Sequence, residues 1–498
     1  MTKFICAANE VIWGIPALIL ILAVGVLLSV RTGWVQFRLF PCAIRTFFNS
    51  FKNNKERSAD GVSGFQALCT ALAATVGTGN IAGVAGAIAI GGPGAIFWMW
   101  ICGFLGMATK FTEATLSVRY RVKQDDGTYV GGPMYIVRHG MGKKWNFLAL
   151  LYCFFAVTAA FGVGSATQVN ALLDGVNGAV ASLGGQESKY INSIIGILLS
   201  AFVVYSTFGG MTRIGEIASF LVPFASVFYM LLCVGVLIHN FSAIPSAFAM
   251  IVTSAFRPAA ITGGIIGSIF QAVRVGASRG VFTNEAGMGT AGIAHASACV
   301  RHPVQQGMMG IIEVFLDTIV ICTMTALVIL CSGIDIPYGR DLGIRIATEA
   351  FTSVYGRWVN IPLAFALCCF AIATMLGWGL YGIRCAQFIF GIKAGKSFGV
   401  LQGVSVVAGS LLNTGTVWAL SEIANGLMAI PNLIILACFC GEAACLTKEY
   451  QMSFNRNSTF GGTYENINQC KSLRTFSNEK ISSFGCKSGK GRKGNLSS

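Results

Sequence analysis

The stretch that decides the fold is residues 75–80, which read Thr-Val-Gly-Thr-Gly-Asn in the middle of an otherwise apolar run. Two glycines flank Thr78, and each glycine inside a helix costs about 1 kcal/mol relative to alanine. A second apolar run contains residues 274–289, which read Arg-Val-Gly-Ala-Ser-Arg-Gly-Val-Phe-Thr-Asn-Glu-Ala-Gly-Met-Gly. Charged residues persist in such a run only where they face a protein interior or a water-filled cavity. The two stretches therefore predict two helices that are broken near their middles.

Composition places both stretches in a membrane protein. Of the 498 residues, 54% are hydrophobic and only 11% are charged, whereas soluble domains carry about 25% charged residues. This composition excludes a soluble enzyme, a disordered protein and a nucleic-acid-binding protein, so no nucleic-acid partner is expected. Most of the 17 cysteines lie in apolar runs, where cysteine behaves as a small hydrophobic residue. We expect no cofactor.

A helix needs about 20 apolar residues to cross the hydrocarbon core of a bilayer. Runs that can do so lie at 11–34, 64–90, 93–118, 147–174, 190–212, 214–240, 262–299, 304–333, 357–391, 397–420 and 423–447. The chain is therefore predicted to be an all-α polytopic membrane protein with 11 transmembrane helices, and the lipid bilayer is an expected partner.

Ten of these helices divide into two sets of five. An odd number of helices in each set forces the two sets into opposite orientations, which is the arrangement of an inverted repeat and a common plan among transporters. The predicted organisation is an extra N-terminal helix with a cytoplasmic loop (1–63), a first five-helix repeat (64–240), an interfacial connector (241–261), a second five-helix repeat (262–447) and a disordered cytoplasmic tail (448–498).

Lysine and arginine are distributed unevenly between the two sides of the predicted membrane. With the loop at 31–63 in the cytoplasm, 26 of the 35 basic residues lie on that side and six lie outside. Cytoplasmic loops are enriched in these residues. The N-terminus is therefore predicted to be outside and the C-terminus in the cytoplasm.

The two broken helices indicate a binding site. Unwound backbone at this depth is tolerated only where it lines a cavity or is buried in protein. Free N–H groups suit a carboxylate, and free C=O groups suit a small cation or an ammonium. Two breaks that face each other thus predict a site for a zwitterion and a cation, which points to an amino acid. Two other interpretations stay open. The sole role of Gly77 and Gly79 could be to allow close helix packing, and Glu285 and Arg279 could form a purely structural pair.

Several sequence blocks carry a resemblance to a known family. They are Ala71–Gly83, Gly91–Trp100 with Gly106–Lys110, Gly131–Tyr135, Arg279–Gly289 with His295, Gly377–Trp378 with Tyr381–Gly382, and Met428–Asn432. With these blocks the chain resembles the alanine or glycine:cation symporters. The resemblance implies eleven helices with a core of the leucine-transporter type, uptake of alanine or glycine coupled to Na⁺, protons as a possible substitute, and a bacterial inner membrane.

Residues 76–80 also resemble the unwound first core helix of the neurotransmitter:sodium symporters. That likeness implies that the amides of Thr78 and Gly79 hold the substrate carboxylate. The full set implied for the substrate is Thr75, Gly77, Thr78, Gly79, Gln168, Val281, Phe282, Thr374 and Trp378. The set implied for Na⁺ is Asn80 with the Thr75 carbonyl at a first site, and the carbonyls of Ala73 and Val76 with Thr374 at a second site.

The roles of some polar and aromatic residues have alternatives. Trp378 lies four residues after Thr374, so both face one side of a helix, and Trp378 either walls the pocket or only packs in the bundle. Gln168 either reaches the substrate or bonds a neighbouring helix. Glu313 and Asp317 are expected to be structural partners of Arg274 or Arg279.

Four alternatives to Na⁺-coupled symport differ in their support from the sequence. An uncoupled facilitator or channel for small neutral solutes remains an alternative, as does H⁺-coupled symport, since Ala373 stands where the family has a serine hydroxyl. A membrane-embedded enzyme is not expected, because none of the four histidines has a metal-ligating partner at short helical spacing. A nucleotide-driven pump is not expected, because the sequence has no Walker A loop.

Overall fold

The structure is a computed structural model that describes residues 12–52, 62–125, 127–258, 262–266, 268–340, 342–411 and 414–459. Helices dominate these residues. The α-helices are α1 (Ile15–Arg31), α2 (Val35–Arg38), α3 (Phe40–Lys52), α4 (Gly64–Thr75), α5 (Val84–Gly91), α6 (Gly94–Arg119), α7 (Pro133–Ile136), α8 (Asn146–Phe161), α9 (Thr167–Ser182), α10 (Lys189–Phe208), α11 (Gly210–His239), α12 (Ile244–Phe256), α13 (Ile269–Asn284), α14 (Thr290–His295), α15 (Pro303–Val314), α16 (Thr323–Cys331), α17 (Ile344–Tyr355), α18 (Asn360–Phe390), α19 (Ala394–Leu411), α20 (Thr414–Cys438) and α21 (Cys440–Thr459).

Shorter elements join or interrupt these helices. The π-helical segments are Gly79–Gly83, Val137–Met141, Gly162–Ala166 and Phe315–Cys322, and the 3₁₀ turns are Lys143–Trp145, Phe241–Ala243 and Arg357–Val359. Two short strands, β1 (Val122–Lys123) and β2 (Tyr129–Val130), form an antiparallel hairpin in which Val122 lies opposite Val130. π-helical turns are rare and often mark functional sites.

Six helical stretches in the described residues are long and apolar enough to cross a membrane, or eight if each bent pair counts as one span. The prediction of an all-helical polytopic membrane protein is therefore confirmed. In the first bent pair, α4 is followed by the helix from Gly79 to Gly91, and the chain bends by 51° between them. In the second, the helix Ile423–Cys438 is followed by Cys440–Ser453, with a bend of 58°.

The first break lies where the sequence predicts it. Helix α4 begins with a capping box, in which the Ser63 side chain accepts the Gln66 N–H and the Gln66 side chain accepts the Ser63 N–H. It ends at Thr75, because Val76 takes an extended conformation (φ −77°, ψ 100°). The chain resumes as a π-helical turn at Gly79 and then as α5.

The second break separates α13 from α14. Helix α13 ends at Asn284, and Glu285 has a left-handed backbone with φ 53°. Gly287 and Gly289 follow with φ of 96° and 78°, values that side chains with a Cβ rarely adopt. The run predicted as one helix at 262–299 is thus two helices.

The structure differs from the predicted element boundaries in three places. Helix α17 lies in a region predicted as a loop, because its 12 residues are too few to register as a span. The helix predicted to begin at residue 423 begins at Thr414, so the polar Ser421 and Glu422 lie within α20 rather than between two spans. The tail predicted to be disordered from residue 448 is helical as far as Thr459, and its remainder lies outside the described residues.

Close helix packing depends on particular glycines. A Cβ at Gly94, the first residue of α6, would overlap the backbone of Ser254 and Ala255 in α12. Helix α12 falls in the predicted interfacial connector, so Gly94 sets how closely α12 approaches the first repeat. By contrast, a Cβ at Gly178 in α9 would meet nothing within 4 Å.

These two positions give a matched test of the packing. Gly94→Ala should lower the melting temperature of the purified protein, because overpacking costs about 1–3 kcal/mol. Gly178→Ala should leave the melting temperature unchanged or raise it, since alanine favours a helix over glycine by about 1 kcal/mol. Thermal unfolding in detergent measures both, and equal melting temperatures for the two variants would contradict the packing of α6 on α12.

Candidate functional site

Hydrogen bonds to Asn80 and to Gln168 of α9 stabilise the backbone of the first break. The Gly77 N–H donates to Asn80 Oδ1 at 2.8 Å, and the Thr78 hydroxyl donates to Gln168 Oε1 at 3.0 Å. Gln168 in turn donates through Nε2 to the Val163 carbonyl at 3.0 Å. Gln168 therefore lies at the first break, and α9 is bonded to it.

The two breaks face each other across Gly79. A Cβ at Gly79 would lie 3.6 Å from two ring carbons of Phe282 and 3.7 Å from the Thr283 methyl group. Gly79 is partly exposed, whereas its neighbours Thr78 and Asn80 are fully buried. Gly79 of the first break and Phe282 beside the second break are therefore neighbours.

Helix α18 packs against the same break. A Cβ at Gly77 would lie 2.7 Å from Thr374 Oγ1, and a Cβ at Gly377 would lie 2.9 Å from the Ala74 backbone nitrogen. Thr374 is 2% exposed, and its hydroxyl has no hydrogen-bond partner among the described residues. A buried hydroxyl normally has such a partner, so Thr374 Oγ1 is an oxygen that a ligand can use.

The backbone predicted for the second Na⁺ site lies in this same region. Ala73 is fully buried and Val76 is 1% exposed. Ala73 lies in the last turn of α4, which ends at Thr75, and Val76 directly precedes Gly77 in an extended conformation. The three predicted contributors, Ala73, Val76 and Thr374, therefore belong to one small region around Gly77.

Trp378 lies beside the second break and the π-helical segment Gly162–Ala166. It is fully buried, it packs so closely on Gly164 that a Cβ there would overlap its ring, and it meets Tyr381 edge-on at 5.8 Å between ring centroids. Its indole N–H makes no hydrogen bond to the described residues, but it lies close enough to Glu285 to interact with that carboxylate.

Two predicted substrate residues contribute differently from the others. The Thr75 hydroxyl bonds back to carbonyls of its own helix, those of Ala71 and Leu72, at 3.4 Å each. Val281 is 1% exposed, and its carbonyl accepts the Glu285 N–H at 2.8 Å. These hydrogen bonds of Thr75 and Val281 thus join residues of the same chain segment, beside the breaks.

Asp317 connects the two breaks and was not predicted to do so. Asn80 Nδ2 donates to Asp317 Oδ1 at 2.6 Å, and the Thr318 hydroxyl donates to Asp317 Oδ2 at 2.9 Å. Asn284 Nδ2 donates to the Thr318 hydroxyl at 3.1 Å, and Asn284 Oδ1 accepts the Ala286 N–H at 2.9 Å. A continuous chain of hydrogen bonds therefore runs from one break to the other.

Glu113 holds the second break and was missed altogether. Its Oε1 accepts the N–H groups of Gly287 at 2.9 Å and Gly289 at 3.1 Å. It also accepts from Asn432 Nδ2 at 2.8 Å, and the same amide nitrogen lies 2.8 Å from the Gly287 carbonyl. One carboxylate oxygen in α6 thus takes three N–H donors from the break and from α20.

A buried ion pair lies beside Glu113. Lys110 Nζ and Glu313 Oε1 are 2.7 Å apart with both side chains fully buried, and His295 Nε2 lies 3.0 Å from Glu313 Oε2. Glu313 and Asp317 were predicted to pair with Arg274 or Arg279. That prediction was wrong, because Glu313 bonds Lys110 and His295 while Asp317 bonds Asn80 and Thr318.

The sequence contained a signal for Glu113. It lies three residues after Lys110 inside an apolar run, and an ionisable residue within a membrane span suggests a functional site. The signal was hidden because neither residue has a partner nearby in the sequence: Glu113 bonds Asn432, which lies 319 positions away. Among the described residues, no group of three or more His, Cys, Asp or Glu side chains is arranged to hold a metal ion.

A family model for the sodium:alanine symporter family matches residues 1–460. The chain belongs to the sodium:alanine symporter family. It is 40% identical over 452 residues to the sodium/alanine symporter AgcS of Methanococcus maripaludis, which covers 89% of this chain and 95% of AgcS. It is also 35% identical over 477 residues to the amino-acid carrier protein AlsT of Bacillus subtilis, which covers 95% of this chain and 97% of AlsT.

A solved structure supports the fold of this symporter. The crystal structure of MhsT in complex with L-phenylalanine matches with a TM-score of 0.55 over 77% of this chain and 90% of MhsT. The two sequences are 16% identical, so the likeness concerns the fold, which is of the leucine-transporter type. The predictions of family, transport function and absence of an enzymatic role are confirmed.

Two asparagines of α20 test the role of Glu113. Asn432→Ala removes a donor from a buried carboxylate, so it should lower stability by about 1–3 kcal/mol and reduce transport. Asn425→Ala is the matched control, because Asn425 is equally buried and its amide atoms have no partner among the described residues. Thermal unfolding of the purified variants measures the difference, and a loss in Asn425→Ala as large as that in Asn432→Ala would refute it.

Proposed function

We propose that this symporter imports alanine or glycine together with Na⁺ by alternating access. The observation that carries the proposal is the meeting of two broken helices at Gly79 and Phe282, with the unpartnered Thr374 hydroxyl beside them. Broken helices place backbone donors and acceptors at the depth where a zwitterion and a cation are bound.

The substrate carboxylate binds the amides of Thr78 and Gly79. Gly79 is the partly exposed residue of the first break, so a ligand can approach its backbone. Phe282 on one side and Trp378 on the other leave space for a small side chain. Gln168 orients the Thr78 hydroxyl by the hydrogen bond between them.

Na⁺ occupies two sites at the first break. Asn80 and the Thr75 carbonyl form the first, and Asp317 supplies a negative charge behind Asn80. The carbonyls of Ala73 and Val76 with the Thr374 hydroxyl form the second. Hard cations prefer oxygen ligands of this kind, and a bound cation offsets the cost of burying the Asp317 carboxylate.

The proposed architecture has 11 transmembrane helices. Six long helices and two bent pairs account for eight, and α1, the broken helix α13 with α14, and α19 supply the other three. We assign α1 as the extra N-terminal helix and the remaining ten to a 5+5 inverted repeat. The symporter is a multi-pass protein of the cell (inner) membrane, with its N-terminus outside and its C-terminus in the cytoplasm, as the distribution of basic residues favours.

The Na⁺ gradient and the membrane potential drive accumulation. One elementary charge that crosses 100 mV releases about 2.3 kcal/mol, and rocking of one set of core helices against the other exposes the site to each side in turn.

The decisive experiment is uptake of labelled alanine by proteoliposomes with an inward Na⁺ gradient. Accumulation above equilibrium that an ionophore abolishes, and that unlabelled glycine competes with, is the expected result. Uptake that only equilibrates would establish an uncoupled facilitator, and accumulation driven by a proton gradient alone would establish H⁺-coupled symport. Uptake of neither amino acid would refute the substrate assignment.

Thr374 variants test the second Na⁺ site. Thr374→Ala removes the hydroxyl, so the Na⁺ concentration for half-maximal alanine uptake should rise about tenfold, equivalent to about 1.4 kcal/mol. Thr374→Ser keeps the hydroxyl and should stay close to the wild type. The Na⁺ dependence of initial rates measures both, and equal behaviour of the two variants would remove Thr374 from the site.

A further inference from the structure

A buried charged cluster beside the second break consists of Lys110, Glu113, Glu285 and Glu313. None of the four is more than 2% exposed, and Lys110 interacts electrostatically with all three glutamates. One ammonium cannot neutralise three carboxylates. Because buried charges without a counter-charge are unfavourable, the cluster has to gain a positive charge or bind a proton.

Lys110 and His295 together cannot balance the three carboxylates. Lys110 Nζ lies 2.7 Å from Glu313 Oε1. His295 Nε2 lies 3.0 Å from Glu313 Oε2, so His295 faces the same carboxylate as Lys110. Even with a positive charge on His295, two cations would face three carboxylates.

Two carboxylates remain, and their surroundings differ. Glu113 Oε1 accepts three N–H donors, which stabilise an ionised carboxylate. Glu285 has fewer donors: its Oε2 accepts the Thr290 hydroxyl at 2.6 Å, and the Trp378 indole N–H lies near the same carboxylate. Glu285 is therefore the carboxylate that is harder to keep ionised.

Unpartnered polar atoms surround this cluster. Glu113 Oε2 and the Tyr381 hydroxyl are buried and have no hydrogen-bond partner among the described residues. The Tyr381 hydroxyl interacts electrostatically with Glu285, Glu313 and Glu113. Buried polar atoms of this kind normally bond protein or ordered water, so the polar groups of the cluster are incompletely satisfied.

The other ionisable neighbours identified among the described residues supply no positive charge. The remaining ionisable groups that face the cluster are Asp317 on the π-helical segment after α15, Tyr152 and Cys153 on α8, and Tyr381 and Cys385 on α18. All of these are neutral or negative when they titrate.

We infer that Glu285 binds a proton, which makes it an ion-binding group in addition to the two proposed Na⁺ sites. Glu285 and the cluster lie on the α14 side of the second break, which is the cytoplasmic side in the proposed orientation, so the proton exchanges with the cytoplasm when that half of the protein opens. The inference goes beyond the proposed symport, because it does not depend on which amino acid is carried.

Infrared difference spectroscopy tests the proton without any transport. The full-length protein, reconstituted in lipid with Na⁺ and recorded in H₂O and D₂O, should show the C=O stretch of a protonated carboxyl that shifts in D₂O and disappears as the pH is raised. Absence of such a band in the wild type would overturn the inference.

Variants assign the band to one residue. Glu285→Gln should abolish it, whereas Asp317→Asn, a matched change at another buried carboxylate, should leave it. If Glu285→Gln does not fold, Glu285→Asn serves instead, because asparagine tolerates the left-handed backbone at this position. Persistence of the band in either Glu285 variant, or its loss in Asp317→Asn with retention in Glu285→Gln, would overturn the assignment.

A transport readout separates proton binding from a merely structural role. Raising the internal pH at constant Na⁺ gradient removes the proton from Glu285, leaves a buried charge and should slow wild-type uptake. Glu285→Gln mimics the protonated side chain, so its uptake should no longer depend on internal pH. A Glu285→Gln variant that transports with the wild-type pH dependence would refute the inference.

Discussion

Backbone N–H groups freed at the two broken helices need partners inside the protein, because the bilayer offers none, and the rest of the structure depends on how this is achieved. At the first break the Gly77 N–H donates to the side-chain amide oxygen of Asn80, three positions further along the chain. At the second break the N–H groups of Gly287 and Gly289 take a carboxylate oxygen of Glu113 in α6. The first break is therefore satisfied locally, whereas the second requires a charged side chain from another helix.

The charge introduced at Glu113 explains much of what lies around it. A buried carboxylate needs donors, and α20 supplies one through Asn432. Other ionisable side chains lie close to Glu113: Glu313 forms an ion pair with Lys110 and a hydrogen bond with His295. On the other side, Asn80, Asp317, Thr318 and Asn284 link the two breaks through hydrogen bonds. A cation bound at Asn80 would act on a network that reaches the second break, which gives a physical route for coupling ion binding to movement of both helices.

Sequence reasoning located both breaks and most of the residues near the first one. Gly77, Thr78, Gln168 and Thr374 do lie together, and Gly79 faces Phe282. The reasoning failed for charged side chains: the partners of Glu313 and Asp317 were predicted incorrectly, and Glu113 was overlooked. Glycines change the conformation of the backbone around them, so a break in a helix can be predicted from a short stretch of sequence. The hydrogen bond from Asn432 to Glu113 joins residues 319 positions apart. A single sequence does not show which distant residues lie close together in the fold.

The sequence by itself determined that this is a helical membrane protein, that two of its helices are broken, and which family it resembles. Composition and run length decide the first point, because the bilayer requires long apolar helices, and glycine content decides the second, because it weakens a helix locally. Only the tertiary structure decided that Glu113 closes the second break, that Asp317 joins the two breaks and that Lys110 pairs with Glu313. These contacts form when distant helices pack, and their energies depend on burial and on distances of a few ångströms, which arise from the fold as a whole.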